Sequence, residues 1–251
     1  MRQEAIDEAV RLLVVARRSG ERLDALPEGA RPADLAEAHA IQDTTVAALG
    51  ERVAGWKVSI GPAGVMRGVI LQSCLVESPA VRPASQVPLL GIEGEIAFRF
   101  ERDLPARDRD YSRDEIADAV TALVGIEIVS SRFQSYEHTP ALHRTADFMS
   151  NGLYVTGTVR PDWREVALDA LEAVLTINGA VLVRQRGGHP TVDPLLPAIA
   201  LVNALRASTG VRTGQIITTG TYTGLHFGQP GDKVVVDFTG FGTAEIHLAD
   251  Q

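Results

Sequence analysis

Glu93-Gly94-Glu95-Ile96-Ala97-Phe98 places two carboxylates at the start of an apolar stretch. Side chains two positions apart in a β-strand share one face of the sheet, so we expect Glu93 and Glu95 to project together. Two neighbouring anions repel each other, and the repulsion grows as water is excluded. The pattern therefore predicts a strand whose two acids hold a positive group between them.

A third acid, Glu127, lies on a second predicted strand and also needs a positive partner. It is the only charged residue in Leu123-Val-Gly-Ile-Glu-Ile-Val129, and a buried, unpaired carboxylate is costly unless it is neutralised. One cation shared by the three acids would neutralise all of them, and oxygen ligands favour Mg²⁺ over Mn²⁺ or Ca²⁺ and disfavour zinc. The alternatives are an ion pair with Arg99 or Arg132, or a solvated Glu93.

Lys57 is likewise the only charge in the short segment Gly55-Trp-Lys-Val-Ser59. A buried lysine can neutralise a substrate carboxylate or, with a lowered pKa, move protons. The alternative is a surface strand on which Lys57 and Ser59 face water. A second candidate for anion binding is the hydroxyl-rich turn Thr218-Thr-Gly-Thr-Tyr-Thr-Gly224, whose backbone N–H groups can point at an anion.

The histidines and the single cysteine give weaker signals. Glu137, His138 and His143 lie in a polar stretch that could form a lid and activate water, although exposed histidines are common. The other histidines considered show no metal-ligand spacing and are interpreted as structural: His39, His189 and His226. Cys74 is the only cysteine, so it forms no intrachain disulfide and is interpreted as a packing residue.

Composition narrows the class of protein. The 251 residues are 45% hydrophobic and 22% charged, as in ordinary folded proteins, and the length is within the range of one large domain. The net charge of −8 argues against nucleic-acid binding. No apolar run approaches the roughly 18 residues of a membrane span, and the first residues are too acidic for a secretory signal. We therefore expect a cytoplasmic protein with no membrane or nucleic-acid partner.

The order of the predicted elements indicates an α+β fold in a single domain, residues 1–251. Apolar stripes predict two helices in the N-terminal segment 1–54, and short β-like runs dominate the core 55–251. The clearest runs are 56–60, 95–100, 123–129 and 153–159. Local turn and cap signals add helices over 116–121 and 195–208, a hairpin around Asn178-Gly179, and a final hairpin of 233–238 with 243–248.

Taken in order, these segments resemble the family of 2-oxopent-4-enoate hydratases and 2-oxo-3-hexenedioate (4-oxalocrotonate) decarboxylases, within the fumarylacetoacetate hydrolase superfamily. The resemblance covers nearly the whole chain. Its parts are Gly55-Trp-Lys57 with Ile60-Gly61, Glu93-Gly-Glu-Ile-Ala-Phe98, Gly125-Ile-Glu-Ile-Val129 with Arg132, Ala146-Asp147 through Gly152, Thr219-Gly-Thr221, and Pro230-Gly-Asp232 with Asp237-Phe238.

The resemblance implies a mixed β-roll or barrel with an N-terminal helical segment, and an oligomeric lyase. It implies that Glu93, Glu95 and Glu127 hold Mg²⁺, with Mn²⁺ as the alternative. It also implies that Lys57 and Ser150 are catalytic residues. The implied binding residues for a small 2-oxo acid substrate are Lys57, Thr221 and Arg132. A homo-oligomer is the first expectation, and a hetero-complex with a related enzyme is the alternative.

Three departures from the family pattern leave the reaction open. Met66-Arg67-Gly68 stands where family hydratases carry Asp-x-Gly, Ser130 stands where many relatives have aspartate, and Asn151 replaces a common serine. The first choice is a hydratase that converts a 2-hydroxydienoate into a 4-hydroxy-2-oxo acid. The alternatives are a decarboxylase of a 2-oxo diacid, an acylpyruvate hydrolase, and a catalytically impaired partner subunit of such an enzyme.

Overall fold

The structure, a computed structural model, describes residues 1–250 and contains five α-helices within that range. Their bounds are α1 Gln3–Ser19, α2 Leu35–Leu49, α3 Arg113–Ala117, α4 Ala141–Ala146 and α5 Leu195–Leu205. The two predicted N-terminal helices are confirmed, and each ends at a glycine with positive φ, Gly20 and Gly50. Among residues 1–250, no helix combines the length and the apolar composition needed to cross a bilayer.

Thirteen strands form two sheets in the same part of the chain. They are β1 Val53–Gly61, β2 Gly64–Leu71, β3 Leu75–Glu77, β4 Ala80–Pro83, β5 Gly91–Phe100, β6 Val120–Val129, β7 Asn151–Arg160, β8 Glu172–Ile177, β9 Ala180–Arg186, β10 Ile216–Thr221, β11 His226–Phe227, β12 Lys233–Phe238 and β13 Gly242–Ala249. The large sheet has the order β2-β1-β10-β5-β6-β7-β3, with β11 paired to β5. The small sheet has the order β4-β13-β12-β8-β9. The predicted α+β class and both predicted hairpins are confirmed.

The main hydrophobic core lies between the two sheets. Ile96 and Phe98 of β5 belong to the same buried cluster as Val236 and Phe238 of β12. A Cβ at Gly94 would press on Val236, so the even-numbered positions of β5 face the small sheet. Because neighbouring side chains alternate between faces, the odd-numbered acids of β5 point to the other side of the large sheet.

The large sheet is strongly curled, and one contact demonstrates it. Lys57 of β1 donates a hydrogen bond from Nζ to Oε1 of Glu127 on β6, over 2.6 Å. Two strands, β10 and β5, separate these residues, so in a flat sheet their backbones would lie about 14 Å apart. The curl brings side chains from distant strands together on the concave face.

Two predicted helices are shorter than expected. The capping box of Ser112 and Glu115 is confirmed, but α3 ends at Ala117 rather than at 121. Strand β6 begins at Val120, which pairs with Phe100. Residues 120 and 121 therefore belong to the sheet and cannot extend the helix. In α5, the Asp193 carboxylate accepts a hydrogen bond from the Leu195 backbone N–H, as the cap signal predicts, and the helix ends at Leu205 rather than at 208.

Candidate metal centre

Three carboxylates converge on the concave face of the large sheet. Glu93 lies directly opposite Glu127 in the pairing of β5 with β6, and Glu95 lies opposite Gly125. One oxygen from each of the three acids lies within 4.8 Å of the others. Glu127 is fully buried and Glu95 is 3% exposed, so little water screens their charges.

Gly125 and Tyr154 form the floor beside the acids, and Thr218 contacts one of the acids. Gly125 lies beneath the phenolic oxygen of Tyr154, where a Cβ would overlap the ring. Tyr154 is fully buried and pairs with Glu127 across β6 and β7, so its ring closes the floor of the site. Thr218 of β10 donates a hydrogen bond to Oε2 of Glu95. Sequence patterns singled out neither Tyr154 nor an individual role for Thr218.

Lys57 is the cation closest to the three acids. Its ion pair with Glu127 is almost enclosed, with 13% of the lysine side chain exposed. Burial acts to lower the pKa of Lys57, but Glu127, Glu93 and Glu95 outweigh it and raise that pKa above the ordinary value. The ammonium therefore stays charged, which suits the binding of a substrate carboxylate better than proton abstraction by a neutral amine.

A single lysine leaves the cluster short of positive charge. Burial, partly offset by Lys57 and reinforced by Glu127, raises the pKa of Glu93 to about 7. Burial, together with repulsion from Glu127 and Glu93, raises the pKa of Glu95 well above its ordinary value. The acids thus resist ionising together unless a further cation joins them.

The residues present fit a hard divalent cation. Oε2 of Glu127 is buried and has no hydrogen-bond partner within residues 1–250, so one ligand oxygen is already orphaned at the centre of the cluster. All three donors are carboxylate oxygens, the type that Mg²⁺ prefers. The arginines considered as alternatives are engaged elsewhere, Arg99 with Glu101 at 2.9 Å and Arg132 with Asp147 at 2.6 Å.

The segment before β7 has an unusual backbone next to this cluster. Phe148, Met149 and Ser150 all adopt positive φ angles of 50–58°, a left-handed turn built without glycine. Gly68 permits it, because a Cβ there would overlap the Phe148 carbonyl oxygen. Such conformations cost of order 1–3 kcal/mol each and persist only where the surroundings enforce them. The turn is therefore held by its contacts.

The turn ends in two polar residues, of which the second contacts an acid of the cluster. The Ser150 hydroxyl is buried and has no hydrogen-bond partner among the described residues. Asn151, the next residue, donates from Nδ2 to Oε1 of Glu127 over 3.3 Å. The hydroxyl of Ser150 is thus left without a partner inside the protein, while Asn151 holds one oxygen of the cluster.

A second buried ion cluster anchors the same turn. Asp147 is completely buried and accepts hydrogen bonds from Nε of Arg132 at 2.6 Å and from Nη2 of Arg17 at 3.0 Å. Arg132 also donates from Nη2 to the carbonyl oxygen of Asn151 over 3.0 Å. Arg132, predicted to bind substrate, therefore uses Nε and Nη2 for contacts within the protein. Arg17 of α1 is a further partner of Asp147 that sequence patterns did not reveal.

Thr221 lies at the end of β10, in register with Glu95. Its hydroxyl accepts a hydrogen bond from the Thr223 backbone N–H over 3.1 Å, and Gly220 before it has φ of 125°. His189 packs behind this turn, with Nε2 3.4 Å from the Thr219 hydroxyl. Burial lowers the pKa of His189 to about 4, so it stays neutral and serves as support for the turn, in agreement with its structural interpretation.

The three weaker candidates in the stretch 137–143 lie apart from these contacts. Glu137 and His138 are exposed, and His138 Nδ1 bonds with the Ser135 hydroxyl at 2.8 Å. His143 is buried beside Phe133, which belongs to the core under the N-terminal helices. Within the described residues, no hydrogen bond joins these three side chains to the acids on the concave face.

Comparison with known proteins gives three consistent findings. The sequence pattern of the fumarylacetoacetate (FAA) hydrolase C-terminal family matches residues 62–249. A 2-keto-4-pentenoate hydratase of Paraburkholderia phymatum is 30% identical over 236 residues, which cover 89% of this chain and 85% of that protein. A 4-oxalocrotonate decarboxylase of Pseudomonas putida is 29% identical over 141 residues, covering 54% of this chain and 51% of the relative.

One solved structure shares nearly the entire fold. The 4-oxalocrotonate decarboxylase from Pseudomonas putida G7, complexed with magnesium and adipate, superposes with a TM-score of 0.81. The match covers 98% of both chains at 20% sequence identity. It agrees with the predicted β-roll and its N-terminal helical segment.

Proposed function

The chain belongs to the fumarylacetoacetate (FAA) hydrolase C-terminal family, and from that membership we propose that it is a divalent-metal-dependent lyase acting as a hydratase. The reaction is the addition of water to a 2-hydroxydienoate or 2-oxo-alkenoate, which yields a 4-hydroxy-2-oxo acid. The observation that carries the proposal is the meeting of Glu93, Glu95 and Glu127 within 4.8 Å, with Lys57 beside them. The similarity to a named hydratase supports the reaction type.

The three carboxylates are the groups that would hold Mg²⁺, with Mn²⁺ as the alternative. Such an ion supplies Lewis-acid stabilisation of negative charge on a 2-oxo acid. Magnesium is bound in the decarboxylase whose fold this chain shares, which supports the choice of metal. The orphaned Oε2 of Glu127 is the feature of this chain that favours the same assignment.

The neighbouring side chains receive separate roles. The charged Nζ of Lys57 holds the substrate carboxylate, because that ammonium stays protonated among the acids. Thr221 and the unpaired hydroxyl of Ser150 donate hydrogen bonds to substrate oxygens. Arg132 acts on the left-handed turn through Asp147 and Asn151, so we assign it a positioning role rather than direct substrate contact.

A decarboxylase of a 2-oxo diacid is the second candidate, and one observation favours it. In the pairing of β1 with β2, Gly68 lies opposite Lys57 and Met66 lies opposite Ser59. The side chain at position 66 therefore lies on the same face of the large sheet as Lys57. Met66 carries a thioether at this position, where family hydratases carry an acid. Loss of CO₂ requires no group that delivers water, so this substitution is compatible with decarboxylation.

The test is to incubate the purified protein with Mg²⁺ and each substrate type. Hydration consumes the 2-hydroxydienoate without CO₂, decarboxylation releases CO₂, and acylpyruvate hydrolysis yields two acids. Turnover by the isolated chain would also separate an active enzyme from an impaired partner subunit. Light scattering on the same sample tests the homo-oligomer that the family resemblance implies. Absence of metal-dependent turnover on all three substrate types would overturn the proposal.

A further inference from the structure

A cavity of about 480 Å³ lies where the end of α1 meets β2 and β7. This volume is within the usual range for small-molecule sites, about 300–1,000 Å³. Neither Lys57 nor any of the three clustered acids lines it, so it is distinct from the candidate metal centre. Serine hydroxyls contribute to its wall, among them Ser73 and Ser131.

The charge of this cavity is opposite to that of the protein. Four arginines line it, and Glu51 is the only acid among its lining residues, which gives a net charge of +3 in a chain of net charge −8. The four are Arg17, Arg18, Arg22 and Arg132. A concave site of one sign concentrates counter-ions of the other sign.

Two of the four arginines are buried and share one carboxylate. The side chains of Arg17 and Arg132 are 10% and 11% exposed, and both bind Asp147. One positive charge is left uncompensated, and Nε of Arg17 is buried without a hydrogen-bond partner in residues 1–250. Burial, with repulsion from Arg132, lowers the pKa of Arg17 to about 10, so this charge is held at a cost that an added anion would relieve.

We propose that this cavity is a binding site for a small anion with two or more negative charges, such as a polycarboxylate or a phosphate. Arg17 and Arg132 form its buried floor, and the exposed Arg18 and Arg22 form its rim. Planar guanidinium groups bind carboxylate and phosphate oxygens in pairs, so both ligand types suit this lining. The site differs from the proposed active site in its ligand and requires no metal, although Arg132 also contacts the residues that flank turn 148–150.

Isothermal titration of the full chain, in magnesium-containing chloride buffer, tests the proposal with two probes, inorganic phosphate and tricarballylate. We expect one or both to bind the unaltered protein, and the probe that binds more tightly identifies the ligand type. The double variant R18Q/R22Q should weaken that binding about tenfold or more, because two charge-assisted contacts are lost. Both residues are exposed, so the fold is expected to survive.

The matched control is R2Q/R11Q, which removes two exposed arginines from the same N-terminal region but outside the cavity lining. This control should bind both probes as the unaltered protein does. The proposal is overturned if neither probe binds the unaltered protein, or if R18Q/R22Q binds as tightly as the control. Because no substrate is added, either result leaves the proposed function to be judged separately.

Discussion

Two buried ion clusters lie on either side of the left-handed turn 148–150, and their charges are unbalanced in opposite directions. On the concave face, three carboxylates share Lys57. Under α1, two arginines share the carboxylate of Asp147. Asn151 touches both clusters, because its side chain bonds with Glu127 and its carbonyl oxygen accepts from Arg132.

The difference shows that the sign of the excess charge in a buried ion cluster indicates which type of ligand the cluster favours. A buried cluster whose charges balance needs no ligand, whereas an excess of one sign inside the protein favours a ligand of the other sign. The acidic excess corresponds to a metal ion, and the basic excess corresponds to an anion. The candidate metal centre and the anion cavity of this chain thus share one physical cause, a buried excess of charge of one sign.

The largest effect is expected at the centre of the basic cluster. Replacing Asp147 by asparagine would leave two buried guanidinium groups without a counter-charge. We expect the free energy of unfolding to fall by about 3–5 kcal/mol, the usual loss when one partner of a buried ion pair is removed. Urea denaturation followed by circular dichroism measures it.

The control for this prediction is the exposed ion pair of Asp110 with Arg206. The variant D110N should lose less than about 1 kcal/mol, because Asp110 is 70% exposed and water screens the pair. Equal losses in D147N and D110N would show that the basic cluster does not stabilise the fold, and the comparison of the two clusters would then fail.

In the acidic cluster the same kind of change should have the opposite consequence for stability. Glu95→Gln removes one charge from a group of three, and burial already favours the protonated form of Glu95. We expect Mg²⁺ affinity to fall by about a hundredfold or more, because losing even an outer-shell partner of a ligand costs about 10–100-fold. The metal-free protein should unfold at the same or a higher denaturant concentration. Calorimetric Mg²⁺ titration and urea denaturation check the two parts.

Glu245→Gln supplies the matched control, since Glu245 is exposed on β13 of the small sheet. It should leave Mg²⁺ binding unchanged. If E95Q destabilises the metal-free protein by several kcal/mol, the acids are held together by something other than a missing cation. Unaltered Mg²⁺ affinity in E95Q would remove Glu95 from the ligand set.

The smallest of the expected effects concerns pH. The folded protein raises the pKa of Glu93 to about 7, above its ordinary value of 4.5. The metal-free native state therefore holds a proton that the unfolded chain releases, so this stabilisation is complete below pH 4.5 and is lost as pH rises through about 7. Metal binding must expel this proton and any proton on Glu95, so Mg²⁺ affinity should fall at least about tenfold from pH 8 to pH 6.

Calorimetric titrations at the two pH values measure this change. In Glu93→Gln the proton of residue 93 is absent, so the dependence on pH should be shallower although the affinity is lower throughout. Equal Mg²⁺ affinities at pH 6 and pH 8 for the unaltered protein would contradict the prediction, because they would mean that Glu93 is already ionised before the metal arrives.

Local signals in the sequence were enough for most of the fold. The dipeptide Asn178-Gly179 predicts a turn with two positive φ angles, and the structure has 51° and 81° there. The capping box at Ser112 fixes the start of α3 but not its end, because the end depends on the pairing of Val120 with Phe100 on another strand. Sequence patterns therefore locate the beginnings of elements better than the ends that distant partners decide.

In the candidate site, too, some features follow from local sequence patterns and others depend on contacts between distant residues. Periodicity placed Glu93 and Glu95 on one face, and the lone charge in β6 pointed to Glu127. The ion pair of Lys57 with Glu127 could not be predicted, because it depends on how far the large sheet curls over two intervening strands. The link from Arg17 to Asp147 joins residues 130 positions apart and has no local signature.

The close packing of the left-handed turn against Gly68 determines which nearby positions can accept a substitution. A Cβ at position 68 would overlap the Phe148 carbonyl group, whereas residue 66, two positions earlier, already carries the half-buried side chain of Met66. We therefore expect substitutions at position 66 to leave the turn in place, whereas any side chain at position 68 would displace it.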